Sequence, residues 1–244
     1  SPGLISAHHH ITFTGLAPAT WGAERFDHRH DWRKGKRGHT KIPSPQTPKA
    51  VSFGELRQVL GGTTSLVGSG GAAGLLRNLD MSAAFQEGLN RPPAKYETFP
   101  LGDNDGQLIA SGCGGYPEID KPTATAIARA DAYVPHVSEG IDAEARNEFL
   151  CVSGAQQGSE QLLMAKSAFT HSVGLLPQDY DAMAKAGTGL VWSPRSNISL
   201  YGHTAQVTIA ARAGVQIALG TDWTASGSVN MLRELQCADQ LNRN

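Results

Sequence analysis

The chain has 244 residues, and its 21 Lys and Arg against 22 Asp and Glu leave a net charge of −1. That length and a 40% hydrophobic content allow one large domain or two small ones and exclude wholesale disorder. The near-neutral balance excludes the global footprint of a nucleic-acid or membrane-surface protein, and no apolar run approaches the ~18–20 residues of a membrane span.

In chain order, Ser1-Pro2-Gly3 comes first, without an initiator Met or a signal-peptide pattern, so a partial chain is expected. Leu4-Ile5 leads into a strand ending near His8. Residues 21–50 carry eight Lys and Arg against three acids and few aliphatics, with Pro43, Pro45 and Pro48 near their end, and read as a long basic loop or insertion. Ser52-Phe53-Gly54-Glu55 has the capping-box form and predicts a helix that stops at Gly61-Gly62. A strand over Thr63 to Val67 and a helix over Ala72 to Leu79 are expected next, then weaker strands over Tyr96 to Leu101 and Leu108 to Cys113. Ala132 to Val137 predicts a strand, and Asp142 caps a helix to about Val152. Further strands fall at Ser167 to Thr170, Leu190 to Trp192 and Val215 to Leu219. Helices are expected between Pro177 and Gly187, near Thr204 to Ala213, and from Ser228 through Leu235. Eight strands separated by helices favour a parallel α/β architecture, and a closed (β/α)₈ barrel takes ~250 residues.

The strand ends carry the chemistry. Strand one ends in His8-His9-His10, where His8 and His10 share a side by period-two alternation. Later strands deliver His136 with Glu139, then His171, then Gly220-Thr221-Asp222. In a parallel barrel the C-terminal strand ends share one face, so these groups would converge. Several imidazoles with a carboxylate suit Zn²⁺ or a similar divalent metal.

Leu4-Ile5-Ser6-Ala7-His8-His9-His10 resembles the first-strand His-x-His motif of the amidohydrolase superfamily of metal-dependent hydrolases. His136-Val137-Ser138-Glu139 resembles the His-x-x-Glu motif of its cytosine, guanine and S-adenosylhomocysteine deaminase branch, which also includes related chlorohydrolases. His171 resembles the next strand-end His, Pro194-Arg195-Ser196-Asn197 the Pro-x-Ser-Asn segment, and Asp222 the final-strand Asp. The motifs occur in family order over residues 2 to 235.

The resemblance implies a TIM-type barrel in a single domain spanning 1–244, and the basic segment 21–50, unusual for the branch, is expected as a long insertion after strand one that forms a lid. It also implies one divalent ion on His8, His10, His136 and Asp222, with His171 a ligand or a partner of the activated water. Zn²⁺ is the expected ion, with Fe²⁺ or Mn²⁺ as alternatives. Asp222 would orient or deprotonate water, Glu139 would shuttle a proton to a ring nitrogen and then the leaving group, and His171 would stabilise developing charge. Arg195, Asn197 and Trp223 are expected substrate contacts. The implied reaction is hydrolytic deamination of an amino-substituted nitrogen heterocycle. Cyclic-amide opening, displacement of another ring substituent, and a non-catalytic metal-binding barrel are the alternatives. The expected partner is a small heterocycle, with neither nucleic acid nor membrane, in a chain that forms a monomer or a homo-oligomer.

The chain departs from the family where two-metal members carry a bridging Lys on strand four: the segment Leu108 to Cys113 has none, and Lys121 lies well beyond it. That favours one metal, with Cys113 read as an ordinary buried thiol and, failing that, a ligand. The family flanks its barrel with a small β-sandwich built from both chain ends, which is not expected within these residues, whether because the segment is trimmed or because the sandwich lies outside it. Three cysteines, Cys113, Cys151 and Cys237, cannot build a disulfide framework, so a reducing, cytoplasmic compartment is expected.

Two other patterns carry less weight. Gly68-Ser69-Gly70-Gly71-Ala72-Ala73 with Glu87 has the spacing of a dinucleotide fingerprint, but a Gly-rich loop at a barrel mouth accounts for it. Asp103-Asn104-Asp105-Gly106 lacks the later acid of a calcium loop and reads as a turn. In the basic segment, Trp21, Phe26 and Trp32 interleave with Arg25, Arg29, Arg33 and Arg37. A loop folded over the mouth is favoured there over base stacking.

Overall fold

The computed structural model describes residues 3–20, 22–117 and 127–243. Its strands are β1 (Leu4–Ser6), β2 (Thr63–Leu66), β3 (Arg77–Asn78), β4 (Lys95–Glu97), β5 (Tyr133–Val137), β6 (Ala168–His171), β7 (Gly189–Trp192) and β8 (Ile217–Leu219). The helices are α1 (Arg29–Lys34), α2 (Val51–Leu60), α3 (Ala143–Val152), α4 (Pro177–Ala186), α5 (Pro194–Tyr201), α6 (Val207–Ala213) and α7 (Met231–Asn242). Among the described residues, α-helices follow β1, β5, β6, β7 and β8, and every ladder is parallel.

β1 to β3 form one sheet and β4 to β8 a second, each in chain order. Backbone hydrogen bonds run between the sheets on both sides. Ala94 N donates to Leu79 O at 2.8 Å beside β3 and β4, and Ala7 N donates to Leu219 O at 3.0 Å between β1 and β8. Past those strands His9 pairs with Asp222 as a parallel bridge. Register places His136 opposite Thr170 and Val137 opposite His171, so β5 and β6 end together. The main core lies between β5–β7 and the helices outside them, with Tyr133, Phe149, Phe169, Tyr180 and Met183 almost fully enclosed. A smaller cluster joins Val67, Val134 and Val191 from three separated strands.

Local chemistry explains where expectation and structure agree. Asp142 Oδ1 accepts from Ala145 N at 2.8 Å and opens α3, as an N-cap should. Pro177 starts α4, and Gly187, at φ +72°, ends it in the left-handed region that favours glycine. Residues 103–106 form the expected turn, closed by Gly106 N donating to Asp103 O at 2.8 Å.

Other expectations are corrected. Residues 72–79 form no helix: Ala72 N donates to Glu55, Asn78 threads into four acceptors, and the segment ends in β3. Glu55 is thereby occupied, so α2 starts at Val51 without a side-chain cap. The glycine loop before this segment carries no helix for a phosphate, and the Asp80 carboxylate already takes Gly68 N and Ser69 N. Leu108 to Cys113 contains no strand. Cys113 is neither a free thiol nor a ligand, because it is disulfide-bonded to Cys151, which departs from the expectation of reduced cysteines. Pro194–Tyr201 forms α5, a helix not expected, and α7 is capped by Asn230 rather than Ser228 and runs on to Asn242.

The basic segment is not a plain solvated loop. His28 caps α1, whose first turn is buried. Gly140 lets the segment dock, since a Cβ there would strike Asp27 O and the His28 backbone. Trp21 and Lys121 lie outside the described residues. Among the described residues, no helix is long and apolar enough to cross a membrane.

Candidate active site

The strand ends bring four imidazoles and two carboxylates together. His8 Nε2 lies 3.2 Å from Asp222 Oδ1, and His10 Nε2 lies 3.7 Å from the same oxygen. Ring centroids of His8 and His136 are 4.6 Å apart, and those of His136 and His171 are 5.1 Å apart. Three overlapping groups, His8–His10–His136, His8–His171–Asp222 and His136–Glu139–His171, each keep their ligand atoms within 4.8 Å of one another.

The backbone is bent to achieve this. Ser138, His171, Ser172 and Asp222 have φ of 58°, 72°, 50° and 55°. Left-handed conformations are uncommon for such residues and cost of order 1–3 kcal/mol each when sparsely populated. They occur where β5, β6 and β8 end, and turn each chain so that its polar side chain faces the others. Gly220 allows β8 to approach β1, because any Cβ there would meet the His8 backbone.

The residues fit a divalent cation. His136 Nε2 is buried without a hydrogen-bond partner. Burial and neighbouring histidines push His136 well below its usual range, and burial pulls His10 and His171 down to about 3. Neutral imidazoles offer lone pairs. Burial alone would raise Asp222, but its hydrogen bond to His8 and the surrounding imidazoles hold it below the usual carboxylate range, so it stays ionised. Tetrahedral ligands ~2.0–2.1 Å from a metal sit ~3.3 Å apart, close to the His8–Asp222 spacing here. His9 points elsewhere, with its Nδ1 2.9 Å from Thr221 Oγ1.

Glu139 differs in character. Burial, reinforced by Asp222, pushes its carboxyl up to about 8. The Tyr201 hydroxyl donates to Glu139 Oε1 at 2.8 Å, and Trp32 Nε1 donates to the Tyr201 oxygen at 2.9 Å. Oε1 being occupied, the acid proton belongs on Oε2, which lies 3.8 Å from His171 Nε2. The loop bearing Glu139 is held by the basic segment: Arg29 N donates to Glu139 O at 2.9 Å and Ile141 N to Asp27 O at 2.7 Å.

A cavity of about 380 Å³ opens onto this cluster, within the usual span of ligand pockets. His10, His136, Glu139 and Asp222 lie at its wall, with Trp223 beside them. Of the expected substrate contacts, only Trp223 lines it. Asn197 is buried with Nδ2 3.0 Å from His171 Nδ1, so it orients that ring instead. Arg195 lines a different cavity, donating from Nε to Ser228 Oγ at 2.9 Å and from its backbone N to Glu234. Tyr201 and Phe99 escaped the sequence reading, whereas Trp32 and Arg33, which line the cavity, belong to the basic segment expected over the mouth. Tyr201 had one legible signal, since it lies four residues after Asn197 and so on the same face of α5.

Glu234 gives a stability prediction. Burial, chiefly, pushes its carboxyl up to about 7, and one of its oxygens has no partner. The folded state therefore holds a proton between pH 4.5 and 7 that the unfolded chain releases, so this residue's contribution falls as pH rises through that window. Glu234→Gln keeps an acceptor for Arg195 N and removes the penalty. Urea unfolding should find the variant about 2 kcal/mol more stable than wild type at pH 8, with the gap closing towards pH 4.5.

No family model matches the chain. A segment of 81 residues is 41% identical to the aminodeoxyfutalosine deaminase of Deinococcus radiodurans, covering 33% of this chain and 19% of that protein. Another of 83 residues is 36% identical to the 5-methylthioadenosine/S-adenosylhomocysteine deaminase of Haloquadratum walsbyi, covering 34% and 19%. These matched segments span about one fifth of the curated relatives. Among solved structures, an adenosine deaminase from Xanthomonas campestris with bound zinc superposes at a TM-score of 0.56, with 19% identity, over 99% of this chain and 61% of that one. The atrazine chlorohydrolase of Arthrobacter aurescens TC1, complexed with zinc, gives 0.51 and 16% identity over 92% and 60%. The chain thus shares the fold of these hydrolases, and its sequence relatives are deaminases of the branch that the motifs resemble.

Proposed function

We propose that this chain is a metal-dependent hydrolase that deaminates an amino-substituted nitrogen heterocycle. The observation that carries the reading is the convergence of His8, His10, His136, His171 and Asp222 around Glu139, a buried carboxyl biased towards its protonated form. The named activities of the curated relatives support the reaction class, and two zinc-bound structural neighbours support Zn²⁺. We also propose that the eight strands close into one (β/α)₈ barrel over 1–244. The Leu79–Ala94 and Ala7–Leu219 hydrogen bonds support closure, as does the cluster of Val67, Val134 and Val191. Residues 21–50 then cover its mouth.

His8, His10, His136 and Asp222 would hold the ion, with His171 beside them. A divalent cation there supplies Lewis acidity, which makes water a nucleophile at neutral pH. Asp222, ionised, accepts the proton of the attacking water. Glu139 gives its Oε2 proton to the ring nitrogen next to the attacked carbon, then takes the proton left on the added hydroxyl and passes it to the departing amine, and the proton held by Asp222 restores Glu139. Its elevated affinity for that proton suits an acid working near neutrality. His171, fixed by Asn197, donates to the developing oxygen charge. The fold shared with the chlorohydrolase favours a second reading, displacement of another ring substituent, by the same groups.

The test is metal content by elemental analysis together with ammonia release across aminopurines, aminopyrimidines and aminopterins. About one ion per chain and ammonia from at least one heterocycle are expected. A chain that takes up no divalent ion would overturn the reading, and a released substituent other than ammonia would decide for the second.

A further inference from the structure

The cavity is charged asymmetrically. Its two carboxylates, Glu139 and Asp222, belong to the imidazole cluster, whereas Arg33, Lys34 and Lys41 line it from the basic segment. No ion pair between any of these three cations and a carboxylate occurs among the described residues. This contrasts with their neighbours, since Arg29 pairs with Asp103 and Glu148, and Arg37 with Asp31 and Asp142.

Arg33 is the most constrained of the three. Its guanidinium stacks over Phe99 at 4.2 Å and uses one N–H towards His30 Nδ1 at 2.8 Å and one towards Asn104 O at 3.3 Å. A guanidinium has five N–H donors, so three remain. Burial, ahead of Arg29, pushes it down to about 10 against the opposing effect of Glu139, Asp103 and Glu148. A planar, immobilised guanidinium that lines a cavity together with two ammonium groups is suited to an anion.

We propose that the ligand of this pocket carries, besides the reacting amine, an anionic group, a carboxylate or a phosphate, and that Arg33, Lys34 and Lys41 bind it. The inference rests on the reading of the cluster as the reacting end. The aromatic rings of Trp32 and Trp223, packed at 5.1 Å, line the same cavity and give the heterocycle an apolar surface. The anion then serves as an anchor, its binding energy holding the ring against the strand ends.

The test separates this proposal from the reaction. Metal-loaded protein is titrated calorimetrically with adenosine, adenosine 5′-carboxylate and adenosine 5′-monophosphate, while ammonia release is followed in parallel. At least one anionic ligand should bind about tenfold tighter than adenosine, the preference weakening as salt rises. Whichever anion is preferred identifies the group. In Arg33→Gln and Lys41→Gln the ratio of anionic to neutral affinity should fall several-fold, with Lys185→Gln on the exposed side of α4 as the control. Unfolding midpoints matching wild type show that the variants fold. Equal affinity for all three ligands, or a preference that survives both variants, would overturn the anion site. Anion preference without ammonia release would leave the site standing and overturn deamination of an adenosine ring, and ammonia release without preference would overturn the anion site and leave the reaction standing.

Discussion

Glu139→Gln should take up the same amount of metal as wild type and lose deamination by 10²- to 10⁴-fold, the usual contribution of a positioned acid and base. The change is nearly isosteric. Gln keeps a carbonyl for the Tyr201 hydroxyl and leaves the imidazole cluster untouched, so the loss reports proton transfer rather than assembly. Ring protonation and departure of the amine both need a group that gives and regains a proton, and an amide does neither. Tyr201→Phe should cost far less, of order tenfold, because it removes the donor that fixes Oε1 and leaves the carboxyl in place. Single-turnover ammonia release with metal analysis on the same samples reads both effects. Undiminished turnover in Glu139→Gln would remove Glu139 from the mechanism and return the proton to another group.

The cluster was legible in the sequence for a physical reason. Ligand-type residues at the ends of apolar β runs have no core role to fill, so His8, His136, His171 and Asp222 stand out against Ala7, Val134, Phe169 and Leu219. Helix signals were equally plain where they are local, as with Asp142 and Gly187. Distant partners defeated the reading. The apolar run at 72–79 looks helical until Glu55, seventeen residues earlier, takes Ala72 N. Asn197 seemed a substrate contact because nothing local indicates that it meets the ring of His171.

The basic segment shows the same failure on the largest scale. Arg29 reads as one more solvated cation, yet it is fully buried, with Asp103 at 2.6 Å and Glu148 at 2.9 Å. Those partners lie 74 and 119 positions away in the chain, beyond any pattern of spacing. His30 Nε2 lies 2.8 Å from Asp103, and His28 Nε2 lies 3.2 Å from Glu148. His30 Nδ1 accepts from Arg33 and His28 Nδ1 from His30 N, so both rings turn Nε2 to a carboxylate; Glu148 Oε1 is held by ion pairs alone, and Asp103 Oδ1 has no hydrogen-bond partner. This accounts for His28, His30 and Glu148 without an ion, although their ligand atoms also lie within 4.8 Å of one another. Burial alone would lower Arg29, but Asp103 and Glu148 outweigh it and hold its charge in place.

Arg29→Met should therefore destabilise the fold by about 3–5 kcal/mol, because it strands two buried carboxylates. Adding Asp103→Asn and Glu148→Gln should recover much of that loss, since the cost lies in unpaired charge rather than in missing side-chain volume. Urea unfolding of the three proteins checks both steps, and a loss below about 1 kcal/mol for Arg29→Met would place Arg29 at an ordinary surface pair. The consequence reaches the site through the backbone, because the residues flanking Arg29 hold the loop of Glu139 through Asp27 O and Arg29 N. In Arg29→Met the segment 26–31 loosens before the strands do. Ammonia release should accordingly fail at urea concentrations below the global unfolding midpoint, whereas in wild type activity and fold should be lost together. A variant that unfolds and inactivates in one step would show that the buried ion network stabilises the whole domain without specifically supporting Glu139.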